Sequence, residues 1–167
     1  MRFTPVILSL SLAFGLTASV LHSAPSPIMD PRAAALESEG RAALKAGNVQ
    51  AAIDDFEAAL AIQPGNLTIT LGLAAANRQQ GMQGKALHYY RVALTYDSQN
   101  LDAIAGEGAA LVEKGAVEKA RRSLAHLKTL CNDCAQSHQL AEAIARGPAP
   151  KVVSAEDVTP APTVSNN

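Results

Sequence analysis

Residues 47–66 read GNVQAAIDDFEAALAIQPGN, residues 81–100 read GMQGKALHYYRVALTYDSQN, and residues 115–134 read GAVEKARRSLAHLKTLCNDC. Gly47, Gly81 and Gly115 open the three stretches on a pitch of 34 residues, and the match continues inside them. Ala52, Ala86 and Ala120 fall in register, as do Phe56, Tyr90 and Leu124. Further out, Gly40, Ala74 and Gly108 align, and Asn66 and Asn100 each precede a leucine, Leu67 or Leu101. A fixed period of this length marks stacked units, each too small to bury its own apolar face and therefore stable only against its neighbours.

Within each unit the pattern predicts two helices around a glycine break. Ala52, Phe56, Ala59 and Leu60 recur at i, i+4, i+7 and i+8, which is one helical face. Small residues at Gly40, Ala74 and Gly108 let two helix backbones approach, with a large residue filling the space beside them. Glycine at the break can take positive φ without a Cβ penalty, and Pro64 cannot continue a helical hydrogen-bond ladder. Asp133 precedes Gln136 by three, a start that looks like a capping box. Ser137, Leu140, Ala141 and Ile144 then define one face of a last helix up to Arg146. From Gly147 onward Pro, Ala, Val, Ser and Thr dominate without helical period, so residues 147–167 read as a disordered tail.

These features resemble the tetratricopeptide repeat, a helix–turn–helix unit of the same length. Unit 33–66 keeps Gly40, Ala52, Phe56, Ala59 and Pro64; unit 67–100 keeps Leu73, Ala74, Ala86, Tyr90 and Ala93; unit 101–134 keeps Gly108 and Ala120. Leu36, Thr70 and Ile104 stand where the family has a tryptophan, and Glu39 and Glu107 interrupt its Leu-Gly pair. The resemblance implies an all-α fold, an α-solenoid of about three repeats, closed by a capping helix over 135–146. It also implies that the first helix of each unit lines a concave groove for an extended or helical peptide. Carried onto this chain, that surface comprises Glu37, Arg41, Leu44 and Lys45, then Thr68, Leu71, Ala75, Arg78 and Gln79, then Asp102, Ala105, Ala109, Val112 and Glu113. Arg41, Lys45, Leu71, Arg78, Gln79 and Val112 are the principal candidates. Such a groove is basic in its N-terminal half, small and apolar in the middle, and acidic at its far end. It suits a peptide bearing acidic and apolar residues. Asn77 lies near one position of the family's carboxylate-gripping set, but the full set is absent.

The N-terminal end reads as a targeting segment. Arg2 is followed by an uncharged apolar stretch from Pro5 to Leu21, like the start of a secretory signal peptide over residues 1–24. Cleavage falls between residues 19 and 24, where Thr17-Ala18-Ser19 satisfies the small-residue rule, and residues 25–32 form a linker. A stretch of this length is also at the lower bound for a membrane span, so an uncleaved inner-membrane anchor is the alternative. The expected location is periplasmic or secreted. In a eukaryotic secreted protein Asn66-Leu67-Thr68 would be a glycosylation acceptor, although Asn66 sits where a repeat turn belongs.

Cys131 and Cys134 are the only cysteines of the 167 residues, and three readings apply to them. An oxidising compartment favours a disulfide that pins the last helix to the array. A redox pair needs a helix N-terminus, which is present, and a preceding strand, which is not. A metal site would recruit His138 and His126 as further ligands. Covalent haem attachment is excluded by Ala135 at the position after the second cysteine. Asp54 and Asp55 are adjacent and point to different parts of a helix surface, and His88 sits on a helix beside Tyr89 and Tyr90, as a partner of Tyr90 in the core or as a surface residue. No nucleophile elbow, phosphate-cradling glycine loop or HExxH occurs, so no catalytic residues, cofactor or resident metal are expected. A net charge of −1 supplies no field for nucleic acid.

The expectation is therefore a non-enzymatic periplasmic scaffold that binds a protein or peptide partner, by analogy with exported family members in envelope, pilus or secretion assembly. Self-association as a homodimer and a thiol–disulfide oxidoreductase using Cys131 and Cys134 are the rival readings.

Overall fold

The computed structural model describes residues 29–148. Over that range the chain forms α1 (Pro31–Lys45), α2 (Val49–Ile62), α3 (Leu67–Gln79), α4 (Gln83–Tyr96), α5 (Leu101–Glu113), α6 (Val117–Cys131) and α7 (Ala135–Arg146). No strand occurs among the described residues. The expectations for residues 1–28 and 149–167 lie outside them. Helices pair as α1·α2, α3·α4 and α5·α6, and each pair packs on the next, with α7 against both α5 and α6. The expected all-α solenoid is therefore the fold.

The turns inside the pairs are built alike. Gly47, Gly81 and Gly115 take φ of 81°, 81° and 85°. That left-handed residue lets its own N–H reach back to Leu44, Arg78 or Val112, while the next N–H reaches Ala43, Asn77 or Leu111. Both bonds satisfy carbonyls that the helix end would otherwise leave open. Between pairs, asparagine does the work. Asn66 Oδ1 accepts from the Ile69 N–H at 3.2 Å and Asn100 Oδ1 from the Ala103 N–H at 3.0 Å, capping α3 and α5. At the front, Asp30 caps α1 through the Arg32 N–H at 2.8 Å, so this helix begins two residues inside the expected linker.

The capping box expected at Asp133 does not form. Cys134 is the N-cap of α7 and contributes no side-chain bond. Asp133 pairs with His138 instead, and Gln136 Nε2 donates to Asp102 Oδ1 of α5 at 2.8 Å. The reason is Asn132, whose φ of 51° turns the chain sharply between the cysteines and places Asp133 one residue before the cap.

Glycine sets how closely the pairs stack. A Cβ on Gly72 would meet the Phe56 ring at 2.5 Å, and one on Gly40 would meet the same ring at 3.0 Å. Phe56, fully buried, is thus held edge-on between α1 and α3. One unit later a Cβ on Gly106 would meet Tyr90 Oη at 2.7 Å. In the third unit the volumes are exchanged. Leu124 replaces the aromatic, Leu140 occupies the register position of Gly72 and Gly106, and both join one apolar cluster with Ile104 and Leu127. Leu140 in turn packs where a Cβ on Gly108 would stand. Packing at interior density leaves no alternative to this exchange of large and small residues.

Candidate functional site

Helices α1, α3, α5 and α7 line one concave face. Two clefts run along it. The N-terminal cleft, about 430 Å³, lies between α1 and α3, with Arg41 and Leu44 on one wall and Leu71 and Ala75 on the other; Phe56 lies beneath it at Gly72. The second cleft, about 360 Å³, lies between α3, α5 and α7, with Ala105, Gly106 and Ala109 in its floor and Tyr90 beneath Gly106. Asp102 borders both. The aromatic residues of the second helices thus reach under the concave face at glycines of the first helices, giving a shallow apolar floor.

The charges are less open than the sequence alone implies. Arg41 pairs with Glu37 one turn back on α1. Arg78 Nη1 bonds Glu113 Oε1 at 2.6 Å, joining α3 to α5 at their C-terminal ends. Burial pulls the Arg78 guanidinium down, but Tyr90 and Glu113 outweigh it and leave Arg78 above its ordinary value. Burial pushes the Tyr90 phenol up, against the pull of Arg78. Arg78 Nε and Glu113 Oε2 are buried without a partner. At the far end, Arg146 and Glu142 of α7 line the second cleft, so that end carries both signs rather than the acidic character expected.

Of the candidate groove residues, Arg41 and Leu71 line the N-terminal cleft and Arg78 the second. Val112 borders a third hollow with Glu113, Arg146, Gly147 and Pro148, but its side chain is buried and forms floor rather than contact surface. Lys45 and Gln79 are exposed at the C-terminal ends of α1 and α3 and line none of these three spaces. Asn77 is 1% exposed and donates to the Leu73 carbonyl at 2.9 Å, so it faces the core and not a ligand. The contribution of α7 through Gln136, Gln139, Glu142 and Arg146 is what the sequence reading missed. The signal was present: Ala135 continues the 34-residue register of Leu67 and Leu101, and Arg146 that of Arg78 and Val112. The cap is thus also a fourth groove-lining helix.

Cys131 and Cys134, half-buried, are joined in a disulfide with Cα–Cα 5.7 Å at the α6–α7 turn. His138 pairs with Asp133, and among the described residues no three His, Cys, Asp or Glu side chains gather to hold a metal ion. His88 is exposed and edge-on to Tyr89, ring centroids 5.2 Å apart, rather than a partner of Tyr90. No helix of the described residues is long and apolar enough to cross a membrane.

A family model, protein kinase G tetratricopeptide repeat, matches residues 38–159. No curated protein matches the chain in sequence. Among solved structures, the Sgt2 TPR domain from Aspergillus fumigatus is similar at TM-score 0.63 and 23% identity, over 78% of this chain and 92% of that one. The first TPR of Spaghetti (RPAP3), bound to the HSP90 peptide SRMEEVD, is similar at TM-score 0.63 and 19% identity, over 69% and 91%. A mutant O-GlcNAc transferase of Thermobaculum terrenum is similar at TM-score 0.62 and 28% identity, over 68% of this chain but 22% of that one.

Proposed function

We propose that this chain, which belongs to the protein kinase G tetratricopeptide repeat family, is a non-enzymatic scaffold that holds an extended segment of a protein partner along its concave face. The observation that carries the reading is the pair of adjoining clefts with small floors, Ala75 in one and Ala105 and Ala109 in the other. Polar side chains stand at their rims. A main chain can approach such a floor closely, while guanidinium groups at the rim orient carboxylates. That a structural neighbour is bound to an HSP90 peptide supports the reading of a peptide partner.

The scaffold acts outside the cytoplasm, in the periplasm, within envelope, pilus or secretion assembly. The apolar stretch Pro5–Leu21 behind Arg2 supports export. In an oxidising compartment the Cys131–Cys134 bridge fixes α7 to the array. Export with cleavage predicts that mass spectrometry of the mature protein finds an N-terminus between residues 20 and 25; an intact Met1 would overturn cleavage and leave the membrane-anchored form.

The groove reading is tested by selecting a displayed peptide library on the wild-type chain and on an Ala75→Arg/Ala109→Arg variant, whose helix content is checked by circular dichroism. Related sequences should be enriched on the wild type and lost on the variant. Equal enrichment on both would remove the concave face from the function.

A further inference from the structure

At the end of α7 the chain still lies against α5, in a hollow that shares Ala109, Ala143 and Arg146 with the second cleft. Gly147 ends the helix at φ 73°, and Gly147 and Pro148 line a hollow with Val112 and Glu113 of α5 and Arg146 of α7. Beyond Pro148 the sequence continues APKVVSAEDVTPAPTVSNN, residues 149–167. The family match runs on through this segment to residue 159.

We infer that residues 151–158, KVVSAEDV, dock in the chain's own concave groove and compete there with an outside peptide. The inference rests on the groove reading above and adds an occupant to it.

Two arguments carry it. The first is reach. Neighbouring helices in contact are about 8–10 Å apart, so the path from α7 across α5 and α3 to α1 is roughly 30 Å. An extended chain advances about 3.3 Å per residue. Lys151 then lies about 10 Å from Pro148, over α5, and Glu156 and Asp157 lie about 26–30 Å away, between α3 and α1. Pro148 and Pro150 favour an extended course for the residues before them.

The second is the order of charge. Starting from Pro148, the groove presents Glu142 beside Arg146, then Glu113 of α5 bonded to Arg78 of α3 beside the small floor of Ala105 and Ala109, then Arg41. The segment presents Lys151, then Val152, Val153, Ser154 and Ala155, then Glu156 and Asp157. Signs match in sequence along the path: cation to carboxylates, small residues to the small floor, carboxylates to cations. The acidic groups the segment's carboxylates meet there are already engaged: Glu37 is paired with Arg41, Glu113 with Arg78, and Asp102 between the clefts accepts from Gln136. A tether this short gives an effective concentration of about 1 mM, so a contact with a Kd of about 0.1 mM keeps the groove about nine-tenths filled. An outside peptide then binds about tenfold more weakly than to an empty groove.

The test uses the full chain, wild type against Glu156→Lys/Asp157→Lys, changes outside the packed helices. In amide NMR spectra the variant should shift Ala75 and Ala109 and the side-chain Nε–H of Arg41 and Arg78, independent of protein concentration. Shifts confined to residues 147–167 would overturn the inference. Groove shifts that grow with protein concentration would also overturn it, since the occupant would be the tail of a second copy. A synthetic peptide of residues 149–162 should bind the variant about tenfold more tightly than the wild type, and equal affinity would sink self-occupancy. Repeating the library selection on the variant separates the two readings. Enrichment there without groove shifts leaves the groove reading standing and the tail inference refuted; groove shifts without enrichment leave the tail as the occupant and refute the outside peptide.

Discussion

Replacing Gly72 by alanine sets two effects of opposite sign against each other in the middle of α3. Helix propensity favours alanine by about 1 kcal/mol. Against that, the new Cβ would stand 2.5 Å and 2.6 Å from Cε1 and Cζ of Phe56. The ring has little room to retreat toward α1, since it stands so close to the Gly40 backbone that a Cβ there would meet the same atoms at 3.0–3.1 Å, and it has no exposed surface into which to turn. The helices must therefore separate, and overpacking of this kind costs about 1–3 kcal/mol. The packing effect wins. Gly72→Ala should destabilise by about 1 kcal/mol net, measured as the urea midpoint of the 222 nm ellipticity with the denaturant slope unchanged. Phe56→Leu alone should cost about 1–2 kcal/mol for lost volume. The double variant should be more stable than the sum of the two by at least about 1 kcal/mol, since leucine makes room for the methyl. Gly84→Ala is the control, because nothing lies within 4 Å of a Cβ there. If Gly72→Ala raises stability as propensity alone would, and shows no coupling to position 56, the account of how the repeats stack is wrong.

Three further outcomes are expected. Asn66→Ala and Asn100→Ala each remove a side-chain cap and should cost about 1 kcal/mol by urea unfolding, whereas the same change at Asn48, which makes no side-chain cap bond, should cost less. Cys131→Ser/Cys134→Ser should lower stability by about 2 kcal/mol, the chain-entropy value for so short a loop, with helical ellipticity retained; an unchanged melting curve under oxidising conditions would remove the clamp. Tyr90 is raised by burial, so between the ordinary tyrosine value of about 10 and its higher folded value the unfolded chain releases a proton that the folded chain keeps. That contribution is complete below pH about 10 and is lost as pH rises through the folded value. The urea midpoint should thus fall more steeply above pH about 10 in wild type than in Tyr90→Phe, and parallel falls would refute it.

The paired helices were legible because they rest on local chemistry. Glycine at positions 47, 81 and 115 and asparagine at 66 and 100 each meet a need set by their own neighbours, positive φ in the first case and a waiting N–H in the second. The turn into α7 was misread because Asp133 and Gln136 found better partners than each other in His138 and Asp102. The groove was legible in outline and misjudged in charge. Its members follow from the repeat register, but whether a guanidinium is open or engaged depends on what stands across from it, and Glu113 lies 35 residues from Arg78.

By itself, then, the sequence determined the repeat length, the helix pairs and the face each helix turns inward, because a period of 34 and residue-by-residue propensities act at short range. The tertiary structure alone decided that α7 completes the concave face as well as closing the stack, that Phe56 and Tyr90 underlie that face at Gly72 and Gly106, and that Arg78 is tied to Glu113. It also decided that Gly147 and Pro148 end α7 in a hollow against α5, beside the second cleft. Each of these depends on the angle and spacing at which one helix pair seats on the next, a quantity set by the volumes of side chains meeting across the interface and not by any residue's own preference.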